Sequence, residues 1–112
     1  MKKMLVGGLA AAAVAGGIAL AAPAQAMTET VFVCPDGFTG VAEGQTSCPF
    51  AHNVGVGVYT QGIPIVRAFS PVTAEVYTMQ CSAGFQITLN TTGRTLSADR
   101  CVGGNNAVVW VW

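Results

Sequence analysis

The chain has 112 residues, 52% of them hydrophobic and 9% charged, with four cysteines and a formal net charge of zero. That length holds one small domain. With no basic stripe to follow a phosphate backbone, nucleic acid is excluded as an expected partner.

The first 26 residues carry much of the apolar content. Lys2 and Lys3 precede an Ala- and Gly-rich run from Met4 to Ala22, and Ala24-Gln25-Ala26 has the small-x-small pattern read by signal peptidase. This predicts a cleaved secretory signal peptide over 1–26. The run approaches the ~20 residues that span a bilayer, but Pro23 and the following Ala-x-Ala favour cleavage over an anchor. Cys34 lies too far downstream for lipid attachment, and Val31-Phe32-Val33 is no lipobox. The expected product, residues 27–112, is one freely soluble extracellular or cell-envelope domain with no stable membrane insertion. Its three cations (Arg67, Arg94, Arg100) against five anions (Glu29, Asp36, Glu43, Glu75, Asp99) leave a net charge of −2 with His52 neutral.

The mature part opens with a β-type run, Thr30 to Cys34, followed by a polar, turn-rich loop from Pro35 to Gln45 in which Asp36-Gly37 is a strong turn signal. Residues 47–61 read as the one helix. Phe50, Ala51, Val54 and Val58 form an apolar stripe at helical spacing, Ser47 or Thr46 can cap the first turn, Pro49 tolerates a first-turn position, and Gly62 with Pro64 is a stop. Gly55 and Gly57 oppose it, each costing a helix roughly 1 kcal/mol against alanine. Strands are predicted over Ile63–Phe69, Ala74–Cys81, Phe85–Leu89, Arg94–Cys101 and Ala107–Trp112, with turns at Ser70–Thr73 and Asn90–Gly93. Val76 faces opposite to Tyr77 and Met79. Asn90-Thr91-Thr92 also matches a glycosylation sequon, though a polar hairpin turn is the preferred reading.

Cys34, Cys48, Cys81 and Cys101 form an even set in an exported chain too short to be comfortable on its core alone, which reads as two disulfides. A four-thiolate metal site wants closely spaced Cys-x-x-Cys pairs, and these positions supply none; no metal or cofactor is expected. Closure of sequence-local loops predicts Cys34 with Cys48 and Cys81 with Cys101. The expected fold is α+β: one helix, about 47–61, packed on a small antiparallel β-sheet and stapled by two disulfides.

The last strand is apolar on both sides, with Ala107, Val109 and Val111 pointing one way and Val108, Trp110 and Trp112 the other. Either it is central and covered on both faces, or Trp110 and Trp112 form an exposed binding surface, since aromatic residues concentrate interface energy.

Three strings carry a resemblance: Thr46-Ser47-Cys48-Pro49-Phe50-Ala51; Phe69-Ser70-Pro71-Val72-Thr73 with Val76-Tyr77-Thr78-Met79-Gln80-Cys81; and Cys101-Val102-Gly103-Gly104-Asn105-Asn106-Ala107-Val108-Val109. In this order they resemble a group of small secreted actinobacterial proteins of mycobacterial type, a group with no assigned activity. The resemblance covers most of 46–112 and implies export and fold. It carries over no catalytic residue, and the segment between Cys81 and Cys101 is longer here than the group's pattern.

For catalysis, His52 is the sole imidazole, Ser47, Ser70, Ser82 and Ser97 are candidate nucleophiles, and Asp36 or Asp99 could orient the base. No serine lies in a Gly-x-Ser-x-Gly motif, and Cys48 and Val56 flank His52 at the spacing where a second metal ligand would stand. Cys34-Pro35 and Ser47-Cys48 loosely resemble the actinomycete subtilisin-inhibitor family, but that family opens its reactive loop with Cys-Pro near the third cysteine, where this chain has Cys81-Ser82-Ala83-Gly84. The reading is therefore a secreted, non-catalytic interaction module with an extracellular or envelope protein as partner. A protease inhibitor and a small hydrolase using His52 are the alternatives.

Overall fold

The computed structural model describes residues 28–42 and 46–112, so the predicted signal peptide over 1–26 lies outside the described residues. In chain order the elements are β1 (Glu29–Val33), β2 (Thr39–Val41), α1 (Cys48–Gln61), β3 (Ile65–Ser70), β4 (Glu75–Leu89), β5 (Thr95–Gly103) and β6 (Ala107–Val111). This is the expected α+β fold of one helix on an antiparallel sheet. None of the helices is long and apolar enough to cross a membrane, among the described residues.

Helix α1 starts where its capping residues put it. The Ser47 side chain accepts from the Phe50 amide, Pro49 sits in the first turn, and Gly62 closes the far end with its amide on the Val58 carbonyl. The two interior glycines, unfavourable for an isolated helix, are both buried against the sheet. A Cβ on Gly55 would lie 2.5 Å from Thr39 Cγ2 and 2.7 Å from Phe38 Cε2, and one on Gly57 would meet Val66 Cγ1. Glycine lets the helix axis approach the sheet more closely than alanine would.

The sheet runs β1-β2-β6-β5-β4-β3, antiparallel in every one of these pairings. A further, parallel pairing joins β1 to the far half of β4, with Val31 opposite Leu89, and so returns the sheet on itself. Five strands thus make a closed circuit, and β3 pairs only with the first half of β4. Strand β2, Thr39-Gly40-Val41, was not expected; three residues with a central glycine carry no periodic signal, yet they link β1 to β6.

Strand β4 corrects a second expectation. The two strands predicted over 74–81 and 85–89 are one 15-residue strand, and Ala83 and Gly84, between the Ser82 and Phe85 pairings, form a bulge in its ladder with β5, with Gly84 at φ +89°. The extra residue reverses which face alternate side chains take. Before it, Tyr77, Met79 and Cys81 face the helix; after it, Ile87 and Leu89 face the interior of the closed circuit.

The bulge therefore divides the protein between two cores. Between helix and sheet, Phe50, Ala51 and Val54 pack on Val41, Val66, Ala68, Met79, Val109 and Val111. Inside the closed strands, Val31, Ile87, Leu89, Ala98 and Trp110 form the second cluster. This explains the two-sided β6, which lies between β2 and β5, with the helix over one face and the closed sheet, not loops, around the other.

Both predicted disulfides are present. Cys34–Cys48 ties the β1–β2 segment to the first residue of α1, with Cα atoms 5.5 Å apart. Cys81–Cys101 joins directly opposed residues of β4 and β5.

Candidate functional site

The Cys34–Cys48 bridge fixes two polar side chains beside each other. Asp36 follows Cys34 by two residues in the β1–β2 turn, and His52 follows Cys48 by four, one helical turn along the same side of α1. His52 Nδ1 lies 2.9 Å from Asp36 Oδ2. The Asp36 carboxylate, 11% exposed, also accepts from the Phe38 and Thr39 amides at 3.0 Å each and from Thr39 Oγ1 at 2.8 Å. Partial burial disfavours its charge, but the Phe38 amide, His52 and Thr39 outweigh burial and hold its pKa below the usual aspartate value. An ionised carboxylate only accepts, so Nδ1 carries the imidazole proton and Nε2 is turned away from Asp36. Phe38 meets the imidazole edge to face at 5.7 Å, and Pro35, Pro49 and the disulfide complete a shallow recess of about 260 Å³.

A carboxylate bonded to an imidazole is what the base and acid of a hydrolytic triad would require, and of the two acids considered the fold brings Asp36, not Asp99, to His52. None of the serines completes it by a hydrogen bond to His52 among the described residues. Ser47 caps the helix, Ser70 is 5% exposed and accepts from the Thr73 amide, Ser97 accepts from Gln86, and Ser82 lies opposite Arg100 on β4. Among the described residues no cluster of histidine, cysteine and carboxylate is placed to hold a metal ion. Ser82 stays paired and Ala83–Gly84 continue the strand as a bulge, so residues 82–84 form no braced reactive loop.

The tryptophan surface is corrected. Trp110 is 2% exposed inside the closed strands and Trp112 is half-buried against the same cluster. Gly40 makes room for the Trp112 ring, which would stand 3.1 Å from a Cβ there. The exposed apolar surface lies elsewhere. On β3, Val66, Ala68 and Ser70 turn to the helix while Ile65, Arg67 and Phe69 turn outward, Phe69 opposite Val76 of β4 and Arg67 opposite Thr78. Ile65 and Phe69 are each 47% exposed and Val76 is 54% exposed. In sequence, both alternating sets of Ile65 to Ser70 contain apolar residues, so the pattern alone does not say which face the helix takes.

No family model, no curated protein and no solved structure matches this chain.

Proposed function

We propose that the chain is an exported, non-catalytic interaction module, and that it docks on a partner protein of the extracellular space or cell envelope through the open face of β3 and β4. The observation that carries this reading is the cluster of Ile65, Phe69 and Val76 around Arg67, solvent-exposed on the face away from the helix. Aromatic residues and arginine are enriched where interface energy concentrates, and Phe69 and Arg67 supply both on this face. The partner is an apolar protein surface with a carboxylate placed for Arg67. Two formed disulfides suit an oxidising compartment. The Lys2-Lys3 start, the Ala24-x-Ala26 pattern and the resemblance to small secreted actinobacterial proteins support export.

The test is a crosslinking pull-down of the mature, oxidised domain from its own cell envelope, read by mass spectrometry and repeated with variants. Phe69→Asp and Val76→Asp should lose the partner that the parent domain captures, by roughly 30-fold in affinity for a residue of hot-spot strength, with unchanged circular dichroism. His52→Ala should retain it. The reverse pattern would move the function to the Asp36–His52 recess and revive hydrolysis as the reading.

A further inference from the structure

A cavity of about 180 Å³ lies apart from both the histidine recess and the β3–β4 outer face. Three separate stretches converge on it: Thr46, Ser47 and Phe50 at the start of α1, Thr73 and Tyr77 around the β3–β4 turn, and Asn105 in the β5–β6 turn. None of its described lining residues is charged, so an ionic ligand would be desolvated there without a countercharge, which is costly. Its volume is below the roughly 300–1,000 Å³ typical of drug-sized sites, which limits the occupant to about one ring.

The walls specify that ring further. Phe50 and Tyr77 meet at 5.8 Å with their planes 83° apart, so they make an apolar corner and not the parallel-sided slot that a flat heterocycle prefers. The remaining lining is rich in hydroxyl and amide groups with capacity left over. Ser47 Oγ accepts from the Phe50 amide and keeps its own proton to donate. Tyr77 donates to Thr73 Oγ1 at 2.9 Å, which leaves the Thr73 proton to donate and the phenolic oxygen to accept. Asn105, on an exposed turn, adds both amide functions. Thr46 Oγ1 is buried and has no hydrogen-bond partner among the described residues. A puckered ring with C–H faces and closely spaced hydroxyls matches an apolar corner surrounded by such donors and acceptors. We propose that this cavity binds a single neutral sugar residue, either free or as the end of a glycan.

The test uses the oxidised mature domain labelled with 15N and titrated with glucose, galactose, mannose, arabinose and N-acetylglucosamine, with glucuronate and glucosamine as charged counterparts. At least one neutral sugar should shift the amides of Thr46, Ser47, Thr73, Tyr77 and Asn105 with millimolar affinity, and the charged sugars should bind more weakly. Asn105→Ala and Tyr77→Phe should each weaken binding about five- to tenfold, the effect of one lost hydrogen bond. Amides that stay still with every neutral sugar, charged sugars that bind equally well, or variants that bind as the parent does would overturn the proposal. Should Tyr77→Phe disturb the fold, Asn105→Ala on the exposed turn decides alone. Tyr77 faces the helix side of the sheet, so failure here leaves the docking reading through Phe69 and Val76 untouched, and the converse holds.

Discussion

Asp36 gathers donors from three directions, and losing its charge should cost more than losing its histidine. Asp36→Ala strands the Phe38 and Thr39 amides together with the Thr39 hydroxyl, and with Thr39 fully buried the expected loss is about 1–3 kcal/mol in urea denaturation. His52 is half-exposed, so His52→Ala should cost about 0–1 kcal/mol and the difference should shrink in salt. The pH dependence has a definite sign. Because the folded-state pKa of Asp36 is lowered, its contribution is present above the unfolded value of about 3.9 and is lost as pH falls through the folded one. Stability should therefore drop in strongly acidic solution, and Asp36→Asn should show less of that drop; an equal acid loss in Asp36→Asn would assign it to other carboxylates. The Asp36-Gly37 turn and the lone His52 are both plain in the sequence. Their pairing is not: local closure predicts the Cys34–Cys48 bridge, but the choice of Asp36 over Asp99 as the acid at His52 depends on how the joined turn and helix start pack.

Helix α1 shows why local rules carry its boundaries yet do not account for its two interior glycines. The cap and stop residues act on their own neighbours and are legible, whereas Gly55 and Gly57 answer to Thr39, Phe38 and Val66, which are distant in the chain. Gly55→Ala should accordingly destabilise the domain: the ~1 kcal/mol gained in helix propensity is set against overpacking of typically 1–3 kcal/mol, measured as a lower denaturation midpoint. Strand β2 and the β4 bulge escaped the sequence for a related reason, since a three-residue strand and a one-residue insertion are defined by partners and not by periodicity. The helix has a second task at the edge of β3. Closure of the other five strands leaves β3 as the open edge among the described strands, and edges recruit other chains. Gln61 bonds both the amide and the carbonyl of Arg67, at 2.8 and 2.9 Å, and Asn53 donates to the Phe69 carbonyl at 2.8 Å. Replacing both with alanine should bare these groups and produce concentration-dependent dimers in sedimentation velocity; a variant that stays monomeric would show that the helix backbone shields the edge without them.

Across the whole molecule, the two disulfides hold different things, although each closes a loop worth roughly 3 kcal/mol on chain-entropy grounds. Cys81–Cys101 lies within a ladder of paired residues on β4 and β5 that already fixes its neighbourhood. Cys34–Cys48 instead fixes a turn to a helix start, where Asp36 and His52 are the other polar link. Removing both bridges, about 6 kcal/mol together on that estimate, should consume much of the ~5–15 kcal/mol typical of a small domain and most of it at the low end, so the reduced protein should be largely unfolded at body temperature, by circular dichroism. The individual bridges are separable by coupling. If Cys34–Cys48 is what brings the carboxylate to the imidazole, then in the Cys34→Ala/Cys48→Ala background His52→Ala should cost nothing further and acid sensitivity due to Asp36 should fall with it. In the Cys81→Ala/Cys101→Ala background both effects should persist at full size, because those cysteines share no partner with the pair and distant sites add independently. The measurement is a double-mutant cycle by urea denaturation, run at neutral pH and again in acid. Additive losses in both backgrounds would mean that the Asp36 turn docks on α1 without its disulfide, with Phe38 and Thr39 against Gly55 as the contact that holds it.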